Sequence, residues 1–169
     1  MNNVSSDDSS REAQALAEDA ARSMYAQDHA SQALGIRLVE VRPGYACLKM
    51  IVRENMVNGH HLCHGGLIFT LADSAFAFAC NSYNVVTVAS GASIEFLAPG
   101  SQGDELTAVA QEQSRSRRTG VYDVTVTNQS GVRIALFRGR SRQFEGRAVH
   151  QGQAVHKGPG PAGESSVSP

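Results

Sequence analysis

Residues 67–80 read LIFTLADSAFAFAC, and the only charged side chain among them is Asp73. A helix that lies on a protein surface carries a polar face, and this stretch has none. Its few β-branched residues favour helix over strand. It is too short to span a bilayer. The segment is therefore predicted to be a helix wrapped by protein on most sides, and the rest of the chain must supply the wrapping.

The wrapping is legible on both sides. Residues 36–42 and 45–53 alternate loosely about Pro43 and Gly44, which predicts a hairpin. Four extended segments follow the apolar stretch, at about 85–97, 104–114, 119–128 and 132–143. Pro99 with Gly100, Gly103 with Asp104, and residues 128–131 supply the turns. Short connections between consecutive strands predict an antiparallel sheet. A helix from a Ser10 cap to about Gln27, and a short one over 31–34 stopped by Gly35, precede the hairpin. An α+β fold with an antiparallel sheet curled around one long apolar helix is the economical packing. Residues 1–10 are expected to be disordered, 11–145 to form the single domain, and 146–169, rich in Gly, Pro and Ser, to be a flexible tail.

Charge limits the partners. The net charge is −1, there is no Trp, and no aromatic run alternates with basic residues. Neither nucleic acid nor membrane is expected as a partner. Three cysteines, Cys47, Cys63 and Cys80, form no disulfide framework, and the polar N-terminus lacks a basic and apolar leader. Both point to the cytoplasm. Phosphate-binding glycine loops of the nucleotide-cofactor types are missing, so no cofactor is expected.

The chemistry concentrates where the loop meets the helix. Asn58, Gly59, His60, His61, Leu62, Cys63 and His64 lead into Gly65 and Gly66. Free N–H groups at a helix start, with the positive end of its dipole, suit an oxyanion or a polarised carbonyl. A plain glycine turn that opens a helix would look the same. Asp73 lies too deep in the helix to be a cap. It is either a carboxylate working in an apolar pocket or one that faces water or bonds a neighbouring hydroxyl such as Thr70 or Ser74. His60, His61, Cys63 and His64 raise a zinc site as a rival, but all four lie within five positions and no second cluster completes a ligand set. No metal is expected. A Cys63–His64 thiol nucleophile is a further rival, weakened because sequence neighbours seldom face each other. Gly65 and Asp73 are eight residues apart, about 12 Å along a helix. If both serve one reaction they come from two subunits, so a dimer is required. Arg115, Arg117, Arg118, Arg133, Arg138, Arg140 and Arg142 concentrate late, the last three on one strand face. They form either a phosphate-binding patch or a charged sheet edge.

The string Asn-Gly-His, Cys-His-Gly-Gly and Leu-Ala-Asp, with Phe-Leu-Ala-Pro-Gly, Thr-Gly-Val-Tyr-Asp and Ala-Leu-Phe-Arg-Gly-Arg-Ser, resembles the hotdog-fold acyl-CoA thioesterases, in the branch of phenylacetic acid degradation. The resemblance covers roughly residues 14–143. It implies hydrolysis of an aryl-acyl-CoA, such as phenylacetyl-CoA or a ring-hydroxylated relative, by a homodimer or homotetramer. It implies Asp73 as the helix carboxylate, Gly65 as the carbonyl-polarising amide, His64 as loop support and Asn58 as the loop amide. It suggests Arg117, Arg118, Thr119 and Arg138 for the CoA moiety. Similar folds host dehydratases and acyl-CoA-binding regulators, so a hydratase and a non-catalytic acyl-CoA sensor are the alternatives.

Overall fold

The computed structural model describes residues 4–150. In chain order the elements are α1 (Val4–Gln27), α2 (His29–Leu34), β1 (Arg37–Arg42), β2 (Tyr45–Ile51), a 3₁₀ turn (Glu54–Met56), α3 (Gly65–Asn81), β3 (Val85–Phe96), β4 (Glu105–Arg115), β5 (Thr119–Thr127) and β6 (Arg133–Ala148). The strands form one sheet in the order β1-β2-β4-β5-β6-β3, and every pairing is antiparallel. α3 packs on the inner face of this sheet, against β2, β3, β4 and β5.

The packing follows from the sequence of α3. Leu71, Ala72, Ala75, Phe76, Phe78 and Ala79 are buried, so the helix has core on most sides, as its missing polar face requires. Ala46, Ala108 and Ala110 on the inner face keep the strands beneath it low. β5 alternates, with Gly120, Tyr122, Val124 and Val126 buried and the residues between them turned outward. The Phe76 ring of α3 lies close over Gly139 of β6. A Cβ there would stand 2.8 Å from the Phe76 ring, so only glycine lets the ring lie on the strand. Buried Asn81 then fixes the next strand. Its Nδ2 donates to the Thr87 carbonyl and its Oδ1 accepts the Thr87 N–H, both at 2.8 Å. This ties the start of β3 to the end of α3.

Three boundaries differ from the sequence reading. α1 begins at Val4, so residues 4–10, expected to be disordered, are helical. The stretch contains no Gly or Pro, Asp7 sits in the first turn where it complements the helix dipole, and Arg11 pairs with Asp7 at 2.8 Å one turn on. α2 starts at His29 because Asp28 caps it, accepting the Ser31 N–H at 3.0 Å, and Gly35 ends it at φ 71° as anticipated. β6 runs to Ala148, past the expected strand end at about 143 and the expected domain boundary at 145, because Ala148 still pairs with Val85 of β3. Residues 1–3 of the expected N-terminal segment, and residues 151–169 of the expected tail, lie outside the described residues.

Candidate active site

Asn58 builds the loop that precedes α3. Its Oδ1 accepts the N–H groups of His60 at 2.9 Å and Leu62 at 3.2 Å, while its backbone N–H donates to the Leu62 carbonyl at 2.8 Å. The tight turn holds His61 at φ 60°, a left-handed conformation that histidine tolerates better than most residues. Cys63 N–H donates to the Gly100 carbonyl at 2.8 Å, and His64 N–H to the Met56 carbonyl at 2.9 Å. The loop is thus fastened to the β3–β4 connection on one side and the 3₁₀ turn on the other. His60 and His61 are exposed, and among the described residues no three His, Cys, Asp or Glu side chains converge as metal ligands. Cys63 is 5% exposed, and burial pushes its thiol up to about 11. It is protonated near neutral pH and is not a thiolate nucleophile.

His64 caps α3. Its Nδ1 accepts the Gly66 N–H at 3.1 Å, so the neutral ring carries its proton on Nε2. This cap separates the two glycine amides. Gly66 N–H is occupied, whereas Gly65 N–H, first in the helix, has no acceptor among the described residues. The bare Cα of Gly65 has an aromatic neighbour. A Cβ there would meet the tip of the Phe96 ring at 3.1 Å. Phe96, 53% exposed at the end of β3, leans against Gly65 and leaves the amide open. Asn58, Leu62, Gly65, Ile68, Phe96 and Leu97 line a groove of about 440 Å³ there.

Asp73 lies two turns along α3 and is half-buried. Neither nearby hydroxyl serves it. Thr70 Oγ1 donates to the Gly66 carbonyl at 2.8 Å, and Ser74 Oγ shares a hydrogen bond of 3.1 Å with Ser31 Oγ. Asp73 has no hydrogen-bond or ion-pair partner among the described residues, and loss of hydration raises its pKa above the ordinary carboxylate value. One continuous helix carries both Gly65 and Asp73, so a single protomer holds them about 12 Å apart along its axis. Asn58 and Gly65 share the groove; Asp73 is not among its lining residues.

The arginines divide. Arg138 grips Asp123 across the β5–β6 pair with two bonds, Nε–Oδ1 at 2.6 Å and Nη2–Oδ2 at 2.8 Å, and this holds Asp123 below the usual carboxylate range. Two of its guanidinium nitrogens are engaged by a carboxylate of its own sheet. Arg117 and Arg118 approach Glu145 loosely, at 3.5 and 3.7 Å, and Thr119 Oγ1 bonds Ser116 Oγ at 2.8 Å in the same turn. Arg140 and Arg142, absent from the set suggested for CoA, have no carboxylate partner among the described residues.

Residues 60–135 match the Thioesterase superfamily model. Over 126 residues the chain is 48% identical to the acyl-coenzyme A thioesterase PaaI of Escherichia coli (strain K12), spanning 75% of this chain and 90% of that protein. This chain belongs to the thioesterase superfamily. Its fold agrees with that membership. The structure of the E. coli PaaI protein from the phenylacetic acid degradation operon aligns with a TM-score of 0.78 at 46% identity, over 79% of this chain and 97% of that one. A Streptococcus mutans UA159 protein solved bound to acetyl CoA aligns with a TM-score of 0.64 at 29% identity, over 66% of this chain and 90% of that one. The six-stranded antiparallel sheet around α3 is the hotdog fold of these relatives.

Proposed function

We propose that the chain hydrolyses aryl-acyl-CoA thioesters, with phenylacetyl-CoA or a ring-hydroxylated phenylacetyl-CoA as substrate, to the free acid and CoA. The observation that carries this reading is the helix itself: a half-buried carboxylate on α3 and an amide at its start beside a groove, neither with a partner among the described residues. The 48% identity to a protein named as an acyl-CoA thioesterase supports the substrate class.

Gly65 N–H donates to the thioester carbonyl oxygen and stabilises the negative charge that develops there. Asp73 of a second subunit takes a proton from water as the water oxygen bonds the carbonyl carbon. The C–S bond then breaks, the sulfur takes a proton, and free acid and CoA leave. Direct attack by the Asp73 carboxylate, followed by hydrolysis of the resulting anhydride, reaches the same products. No cofactor enters either route.

The edge of the sheet supports a shared site. Among the described residues β3, an edge strand of twelve residues, is paired on one side only and exposes Val88 and Phe96. A long open edge is a template for another strand. A two-fold pairing of β3 edges makes a homodimer. Phe96, at the end of that edge, touches Gly65, so a subunit docked along β3 brings its own α3 toward the Gly65 amide. Pairs of dimers complete a homotetramer. The buried free thiols Cys47, Cys63 and Cys80 fit a cytoplasmic enzyme. Among the described residues no helix is long and apolar enough to cross a membrane.

A panel of acyl-CoAs assayed for free thiol tests the reading. The highest kcat/KM is expected for phenylacetyl-type substrates. Binding of acyl-CoA without thiol release favours a sensor, and hydration of an enoyl-CoA with the thioester intact favours a hydratase.

Asn58 has a narrower role than the sequence allows. Its oxygen is committed to two backbone N–H groups, so only Nδ2 is left to face substrate, and it acts as a donor. Asn58→Asp keeps the oxygen that shapes the loop and removes the donor. It is expected to lower kcat by about 10²-fold, the scale of one lost donor, with little change in Tm. Asn58→Ala removes both functions, and its Tm should fall as well. A full kcat in Asn58→Asp would restrict Asn58 to loop building.

A further inference from the structure

The Asn58 loop has a twin elsewhere in the chain. Asn128 opens the β5–β6 turn, and its Oδ1 accepts the N–H groups of Ser130 at 3.1 Å and Val132 at 3.0 Å. Its backbone N–H donates to the Val132 carbonyl at 3.0 Å, and Gly131 N–H donates to the Asn128 carbonyl at 2.9 Å. Asn58 makes the same four bonds with His60, His61 and Leu62, and the fourth residue is left-handed in both turns, His61 at φ 60° and Gly131 at φ 78°. One asparagine therefore closes each five-residue turn, and the side chain of the residue after it is not needed for closure. Before α3 that residue is Gly59. In the β5–β6 turn it is Gln129.

Both ends of the Gln129 amide are used outside its own turn. Nε2 donates to Asp104 Oδ1 at 2.8 Å, and Oε1 accepts the Glu105 N–H at 3.0 Å. Glu105 lies beyond the last pairing of β4 with β5, Thr107 with Thr127, so Gln129 supplies an acceptor where the neighbouring strand has ended. Asp104 spends its other oxygen on the β3–β4 connection, where Oδ2 accepts the Ser101 N–H at 2.8 Å. Ser101 pairs with Leu62, and the Gly100 carbonyl takes the Cys63 N–H at 2.8 Å. A Cβ on buried Gly100 would stand 3.3 Å from Cys63 Cβ, so the connection and the loop lie against each other. A continuous run of bonded groups thus leads from the β5–β6 turn, through Gln129, Asp104 and Ser101, to the residues that carry His64 and Gly65. Water satisfies exposed amides as well, so the gain from these bonds lies in where they hold the connection.

We propose that Gln129 and Asp104 are positioning residues for the reaction: together they hold the Gly100–Ser101 connection, and through it the Leu62–Cys63 segment, so that the Gly65 N–H stays aimed at the thioester carbonyl oxygen. The proposal rests on the acyl-CoA reading above. Neither residue is among those lining the groove, so both act through the loop. A displaced donor stabilises the developing oxyanion less, while contacts to the unreactive part of the substrate are kept. Loss of the tie therefore falls on kcat and spares KM.

The test exchanges donor and acceptor in the full chain. Asp104→Asn turns one amide nitrogen toward another, and Gln129→Glu sets two carboxylates face to face, so each single variant breaks the bond between the two side chains. In the double variant the introduced amide donates to the introduced carboxylate. The amide oxygen still accepts the Ser101 N–H, and the second carboxylate oxygen still accepts the Glu105 N–H. With phenylacetyl-CoA, each single variant is expected to lose about tenfold in kcat per CoA-binding site while KM stays within about twofold of the parent. The double variant should return to within about twofold of parental kcat. Hydrogen exchange of the Cys63 amide reads the tie without catalysis, and should quicken about tenfold in each single variant and return to the parental rate in the double. Gln129→Ala removes the tie without adding charge and should match the single variants in both measurements. Parental kcat or parental exchange in the single variants overturns the proposal. So does a double variant as slow as the worse single, or a KM that rises as far as kcat falls. The reaction reading is judged separately, by thiol release from phenylacetyl-CoA by the parent chain; if that fails, exchange at Cys63 still decides whether the tie holds the loop.

Discussion

Asp73→Asn is expected to lower kcat by about 10²–10⁴-fold, the usual contribution of a positioned base, while the protein folds and binds CoA. Asn is nearly isosteric, and Asp73 makes no hydrogen bond or ion pair among the described residues whose loss would disturb packing. Burial raises the Asp73 pKa, and the active form is the ionised one. The acid limb of the parental kcat profile should therefore lie higher in pH than an ordinary carboxylate would give, and Asn should abolish it. Stability should move the other way. A carboxyl whose pKa is higher folded than unfolded binds more protons in the native state, so stability falls as pH rises from the ordinary value of 3.8 through the raised one. Near neutral pH the parent bears this penalty in full and the variant does not. Asp73→Asn should melt above the parent at neutral pH, and the difference should vanish in acid. An active variant, or one that melts below the parent at neutral pH, removes Asp73 from the role of poised base.

The fold was legible because one segment overdetermines it. Residues 67–80 have no polar face, so they had to be the centre, and the turn residues around them allowed little besides an antiparallel wrapper. The ends were harder to read, since residues 4–10 look like a polar tail until the pairing of Asp7 with Arg11 is seen. Within the site, Asp73 and Gly65 stood out by chemistry alone, a charge in an apolar helix and a glycine at its start. Three features of the site were out of reach. His64 takes the Gly66 amide and so selects Gly65, which depends on one imidazole rotamer. Phe96 fills the space above Gly65 from a strand thirty residues on. The division of the arginines was the third. Extending the hairpin about residues 128–131 in regular register from Thr127 and Arg133 would set Asp123 opposite Phe137; the irregularity between Val126 and Thr127 shifts the pairing by one, so that Asp123 meets Arg138 and Val121 meets Arg140. Neither a count of basic residues nor a regular register shows that distinction; the one-residue shift makes it.

Mixing two inactive chains should restore activity. The Asp73→Asn chain keeps the Gly65 amide, and the Gly65→Pro chain keeps the carboxylate. Proline suits this position on three counts. Gly65 is the first residue of α3, where a missing N–H breaks no helical bond. His64 before it has φ −61° and ψ 129°, the extended conformation that a residue preceding proline prefers. The ring would crowd Phe96, but Phe96 is half exposed at the end of its strand and can turn outward. If every site takes its amide from one subunit and its carboxylate from the other, a mixed dimer holds one site with both defects and one with neither. Random exchange of equal amounts makes half the dimers mixed, so about a quarter of parental activity should return. A site contained in one chain predicts no recovery at all, because every site then carries one defect or the other whatever its partner. The measurement is thiol release from phenylacetyl-CoA before and after exchange, with the mixed dimers isolated by two different affinity tags. Silence in verified mixed dimers, with both parent homodimers folded, would return Gly65 and Asp73 to one subunit. The roughly 12 Å between them along α3 would then have to be bridged by substrate or by the helix breaking its register.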